Sequence, residues 1–299
     1  MIRLQKHQIA FFALLAVTLL IGWHPLFRTF SLAWGNDEYT HILLILPVSA
    51  ALILLERQRL AQDARWGVPY SIALLSVAVL LAGSVAIRSA SIPVDVQLAL
   101  DVAALVIAWI AVFILCFGAS AFRIVLFPML FLFALVPFPA MALDFVISAL
   151  QQGSAWSAHA LFAAIGVPVV QHGVIVTIPG LTIQIAQECS SIRSSSMLLV
   201  TTMVVAQLLL QSPWRKALLI ALAIPLSVAK NGLRIFTIGF LATKVDPGYL
   251  NGRLHHQGGI LFFLLALFAV FLILWLLRRH DSLTAARRSG ALHATAIAN

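Results

Sequence analysis

The chain has 299 residues, 62% of them hydrophobic and only 10% charged, with a mean hydropathy of +1.03. A soluble globule, with about a quarter of its residues charged, is excluded, and the apolar surface must meet lipid. The formal net charge of +9 does not mark a nucleic-acid binder, because the basic residues lie in short loops between apolar runs instead of along one face.

Apolar runs of about the spanning length predict membrane helices near residues 9–27, 40–55, 70–88, 97–117, 121–141, 192–211, 217–241 and 258–277. The expected fold is therefore an all-α polytopic bundle of about eight transmembrane helices. The first run, from about Ile9, has no small-residue cleavage site after it and reads as a retained helix. Arg3, Lys6, Arg57, Arg59, Arg65, Arg123, Arg215, Lys216, Arg278, Arg279, Arg287 and Arg288 fall on one side of that topology, which is expected to be cytoplasmic with both termini. Residues 1–280 read as one integral membrane domain, and 281–299 as a basic, Ala-rich, disordered cytoplasmic tail.

The first outer loop runs from Trp34 through Gly35, Asn36, Asp37, Glu38, Tyr39 and Thr40 to His41, a polar aromatic cluster that serves either as an interfacial belt or as a substrate-facing surface. Pro128, Pro137 and Pro139 should bend the fifth helix and then stop it. Residues 142–190 are the one region able to form a small element outside the bundle. Its first part, Phe145 to about Ile165, predicts an outer amphipathic helix, interrupted at Gln151-Gln152-Gly153, that either lies along the membrane surface or dips into the bundle. Its second part carries a short β-hairpin signal before Cys189, with β-branched runs 174–178 and 181–185 joined by Pro179-Gly180.

Three polar positions then fall at a similar predicted depth. Cys189 stands where a membrane helix begins, in Gln187-Glu188-Cys189-Ser190-Ser191-Ile192-Arg193, and helix-start N–H groups together with Arg193 favour a thiolate there. The serines at 190, 191, 194, 195 and 196 can cap that start. Cys116 belongs near the opposite end of its helix, too far away for a disulfide, and reads as a small buried apolar residue. Arg234, in Lys230-Asn231-Gly232-Leu233-Arg234, lies deep in an apolar run. It must face a polar interior or snorkel outward in the company of Lys230 and Lys244. His255 and His256 precede the last helix, and no second cluster of ligands completes a metal site around them.

A thiol, a guanidinium and an imidazole at one depth suit acyl transfer. The imidazole takes the thiol proton, the thiolate attacks a carbonyl, and fixed positive charge stabilises the oxyanion. No cofactor or metal is required by this chemistry. A reading from another class, a transporter or flippase with Arg193, Lys230 and Arg234 lining a path for an anionic solute or polysaccharide precursor, stays open on the residues alone.

These residues resemble the exosortase/archaeosortase family. Cys189-Ser190-Ser191-Ile192-Arg193-Ser194 is similar to the family's Cys-x-Gly-[Ile/Leu]-Arg-Ser signature, with Ser191 where glycine is usual. Asn231 to Arg234 resembles its Asn-x-x-Arg element, and His255 to Gly259 its His-x-x-x-Gly element. Trp34 to His41 resembles its Trp-x-x-x-x-Tyr-Ser-His region, with Ile42 where glycine usually follows, and 128–139 resembles its proline-rich helix. The resemblance implies a membrane cysteine transpeptidase or protease with Cys189, Arg234 and His255 as catalytic residues, and with Arg193, His256, His41 and Asn231 binding substrate or assisting. His255 has the family's four-residue offset to Gly259, yet the adjacent His256 leaves the working histidine open. Implied partners are membrane lipid and exported proteins carrying a C-terminal motif, a transmembrane helix and a basic tail. Such proteins are cut on the outer side of the cytoplasmic membrane and passed to water or another acceptor, in systems that often accompany exopolysaccharide production.

Overall fold

A computed structural model describes residues 2–63, 65–185, 192–250 and 259–279. Cys189, His255, His256 and the 281–299 tail lie outside the described residues. Among the described residues, six helices are long and apolar enough to cross a membrane, and the number reaches eight if each of two bent pairs forms one span. The chain is a multi-pass, all-α membrane protein with a small sheet. Two compact units divide it, Met1–Asp144 and Phe145–Asn299.

The first unit begins with α1 (Ile2–Ile21) and α2 (Trp23–Gly35), which meet at a 72° bend. The sequence predicts an unbroken helix over 9–27, but Pro25 lacks the N–H that would continue α1, and at Gly22 a Cβ would come within 2.6 Å of the Leu105 side chain. A 3-10 turn over Asp37–Tyr39, capped by the Asn36 side chain on Glu38 N–H at 3.0 Å, leads into α3 (Ile42–Leu55). Next come the short α4 (Arg57–Asp63), α5 (Val68–Arg88) and the largely buried α6 (Val94–Ile124).

α6 is broken at Gly118, whose φ of 86° is left-handed. The break frees three carbonyls, and each finds a donor. Gly67 N–H reaches Leu115 O and Arg65 N–H reaches Phe117 O, both at 3.1 Å, while His7 Nδ1 donates to Cys116 O at 2.6 Å. Cys116 itself is fully buried among apolar residues. The proline-rich run yields only a short helix, α7 (Leu126–Phe131), and a 3-10 turn over Leu132–Leu135. Pro128 is tolerated in the first turn of α7, and the run ends ahead of Pro137, as proline geometry requires.

The second unit is built on α8 (Ala140–Ala164), a three-stranded antiparallel sheet, α9 (Ile192–Leu209), α10 (Pro213–Lys244) and α11 (Gly259–Arg279). α8 buries one face, through Ile147, Ser154, Ala155, Ala158 and Phe162, and runs straight through Gln151-Gln152-Gly153. The expected interruption is absent. Gly153 is instead a contact point, where a Cβ would sit 3.0 Å from Val228 of α10.

The hairpin pairs β2 (Ile175–Ile178) with β3 (Leu181–Gln184) across Pro179-Gly180, Gly180 taking φ 83°. A further strand, β1 (Val170–His172), pairs with β2 through the two-residue turn Gly173-Val174. Val176, Ile178 and Ile185 pack with Ala155, Ala158, Phe162 and Ile235, so the sheet is fastened to α8 and α10. A second apolar cluster joins α9, α10 and α11 through Leu198, Ala206, Leu219, Ala266, Val270 and Leu274.

Candidate active site

The second unit has one polar end and one anchored end. At the anchored end Arg215 Nη1 donates to Leu277 O at 3.0 Å, Lys216 Nζ donates to Gln207 Oε1 at 2.8 Å, and the Arg279 guanidinium lies 5.5 Å from the centre of the Trp275 ring. These basic and aromatic groups suit a head-group interface. Lys230 lies fifteen positions and Arg234 nineteen positions beyond Arg215, about 22 and 28 Å along a helix rising 1.5 Å per residue. Against a hydrocarbon layer about 30 Å thick, Arg234 reaches the far boundary and Lys230 stays beneath it.

Around that depth the three helices α8, α9 and α10 are joined by polar side chains. Asn231, 1% exposed, donates through Nδ2 to Ser154 Oγ at 2.9 Å, and Ser154 in turn donates to Leu150 O at 2.6 Å. Lys230, 6% exposed, donates to Ser194 Oγ on α9, and Ser227 donates to Ser195 Oγ beside it. Gln151 Nε2 donates to Ile185 O at 2.9 Å. Gly232 lets α10 approach α8 so closely that a Cβ there would overlap Ser157, with Ala158 N only 3.1 Å away. An apolar interior makes each of these hydrogen bonds matter, since an unpaired polar group there costs about 1–3 kcal/mol.

Of the residues singled out from sequence, Asn231 is buried in this junction and Arg234 lies half-buried one turn further along α10. Arg193 is exposed in the first turn of α9, next to Ser194. Lys230 does not snorkel; it is buried and turned onto α9. His41 belongs to the first unit, at the head of α3, where it is 9% exposed and its Nδ1 has no hydrogen-bond partner among the described residues. Near it Tyr39 donates its hydroxyl to Phe138 O at 2.9 Å, while Trp34 is 84% exposed.

The model of the transmembrane exosortase family matches residues 34–272. The chain belongs to that family. The match opens at Trp34 and ends within α11, so it takes in every motif on which the exosortase resemblance rests. No curated protein and no solved structure matches this exosortase.

Sequence reasoning passed over Gln151 and Ser154, and weighed Lys230 only as the lining of a transport path. Their signal was the spacing of polar groups on apolar helices. Gln151, Ser154 and Ser157 recur every three residues on α8, and Ser227, the adjacent pair Lys230-Asn231, and Arg234 follow one another at three or four residues on α10.

Proposed function

We propose that the chain is a membrane-embedded cysteine protease or transpeptidase that cleaves the C-terminal sorting signal of exported proteins through a thioester on Cys189. The observation that supports this most is the bonding of Ser194 and Ser195 to Lys230 and Ser227. It sets the first turn of α9, which follows the Cys189 segment in sequence, beside the part of α10 that carries Arg234.

In this mechanism the Cys189 thiol loses its proton to His255 or His256, and the thiolate attacks the scissile carbonyl. Arg234 stabilises the oxyanion of the tetrahedral intermediate, with Arg193 adding positive charge and Asn231 holding α10 to α8. The protonated histidine gives its proton to the leaving amine as the C–N bond breaks. Water or an acceptor nucleophile then attacks the thioester and regenerates the thiol. The excess of basic residues in one set of loops supports a site on the outer side of the cytoplasmic membrane with both termini inside. Substrates are exported proteins with a short motif, a transmembrane helix and a basic tail.

The test is processing of such a substrate in cells expressing Cys189→Ala. Loss of processing with accumulation of the uncut precursor is expected. Processing at the normal rate contradicts the proposal, and transport of an anionic solute abolished by Arg234→Ala but unaffected by Cys189→Ala would replace it with the transporter reading.

A further inference from the structure

The hydrogen-bond phase of the small sheet follows from one bond. Ile185 N–H donates to Val174 O at 3.0 Å. Bonded and non-bonded pairs alternate along an antiparallel ladder, so Ile183 and Leu181 also bond to β2, opposite Val176 and Ile178. Thr182 and Gln184, opposite Thr177 and Ile175, then direct both their N–H and their C=O away from β2. The 3.4 Å approach of the Thr177 and Thr182 hydroxyls fits such a non-bonded pair, in which facing side chains come closest. The outer edge of β3 therefore presents four main-chain groups, and among the described residues none of them has a hydrogen-bond partner. On β1 the same phase turns Gln171 outward, but that edge is guarded. Pro168 stops the strand from extending upstream, and Gln171 Nε2 donates to Gly173 O at 2.9 Å, which occupies a carbonyl two residues along.

We propose that the outer edge of β3 is a docking strand for the exported-protein substrate, which pairs with Thr182 and Gln184 as an added, extended strand. The identity of that peptide rests on the protease reading; the edge itself does not. Folded proteins protect exposed edges with charges, prolines or bulges. Leu181-Thr182-Ile183-Gln184 has no charge and no proline, and the Thr182 and Gln184 side chains stand exposed. Four unpaired main-chain groups at a two-residue repeat complement one thing above all, another backbone in extended form. With only two outward residues, the edge is too short to hold two folded chains together on its own, which favours a peptide over a second copy. Its placement agrees. β3 is seated on α10, where a Cβ at Gly239 would come within 2.8 Å of Ile183 Cδ1, and Ile235, adjacent to Arg234, belongs to the apolar cluster under the sheet. Main-chain pairing supplies affinity without reading side chains, so such a strand fixes the register of many different substrates.

The experiment uses the full-length protein in nanodiscs and a fluorescein-labelled synthetic peptide copied from the stretch ahead of the transmembrane helix in a tailed exported protein. A series of the same peptide is N-methylated at one amide at a time. Binding and KM should weaken roughly 2- to 10-fold at amides two residues apart and change less than about two-fold at the amide between them. Amide exchange reads the other partner. Saturating peptide should slow the Thr182 and Gln184 N–H groups, while those of Leu181 and Ile183, already bonded to β2, change little. Thr182→Pro deletes an outward donor without touching the ladder and should raise KM about tenfold with kcat kept, whereas Gln171→Pro, the same change on the β1 edge, should leave both unaltered. The inference is overturned if the N-methyl series shows no alternation and the 182 and 184 amides exchange as before. It is also overturned if Thr182→Pro loses affinity only in step with its melting midpoint, or if it dissociates a dimer while binding the peptide normally. The two levels separate cleanly. A parent protein that binds with this alternation but never cleaves keeps the docking strand and ends the protease reading; one that cleaves with no alternation in KM does the reverse.

Discussion

Replacing Gly232 by alanine tests the contact that brings α10 against α8. The added Cβ would overlap Ser157 Oγ and Cβ and stand 3.1 Å from the backbone nitrogen of Ala158. The hydroxyl can rotate away, but the Ser157 Cβ and the Ala158 backbone cannot, so the helices must separate by a fraction of an ångström or more. Overpacking of this kind costs about 1–3 kcal/mol, and the better helix propensity of alanine returns about 1 kcal/mol. The net loss is then up to about 2 kcal/mol, equivalent to a fall of up to roughly 8 °C in melting midpoint for a unit of this size. The assay is thermal unfolding in detergent across a double-mutant cycle with Ser157→Gly, which opens the space the new methyl needs. Favourable coupling of about 1 kcal/mol is expected, with the remainder held back by Ala158 N. Gly83→Ala on α5, where nothing lies within 4 Å of the added Cβ, serves as the control and should melt at or above the parent. A Gly232→Ala protein that melts like that control, with additive changes around the cycle, would refute the close approach.

Three further substitutions probe the same unit. Asn231→Leu removes the Nδ2 donor to Ser154 and should cost about 1 kcal/mol in a melting assay, with a larger loss of turnover because Arg234 lies on the next turn. Phe162→Ala, at a fully buried position between the sheet and α10, should destabilise by about 3–5 kcal/mol and leave little folded protein on size-exclusion in detergent. Gly180→Ala forces a side chain onto a residue with φ 83° and should cost about 1–2 kcal/mol, read as faster amide exchange in 175–184 relative to the helices.

The membrane helices were legible because length and hydropathy alone decide whether a segment can span, and the β2–β3 hairpin because Pro179-Gly180 separates two β-branched runs. What hydropathy does not encode is direction. The bend at Gly22 falls inside a run that hydropathy reads as one helix despite Pro25, and only the collision with Leu105 makes glycine necessary there. The opposite error occurs at Gln151-Gln152-Gly153, which resembles a helix break. In the folded unit Gln151 has the Ile185 carbonyl and Gly153 has Val228, so both residues serve tertiary contacts and α8 continues. β1 escaped notice because Val170-Gln171-His172 is too short to show alternation, although Gly173-Val174 is a two-residue turn signal. The depth of Arg234 along its helix was legible from the apolar run that carries it. The burial of Lys230 was not, because snorkelling and turning inward look alike until the facing helix supplies Ser194.

The most direct test is to quench the full-length protein during turnover of a tailed substrate and map covalent adducts by mass spectrometry. The upstream substrate fragment should be found on the peptide containing Cys189, released by hydroxylamine, and absent from the Cys189→Ala protein. Cleaved product that accumulates while Cys189 stays unmodified, or an adduct that maps to any other residue, would contradict the assignment of the nucleophile.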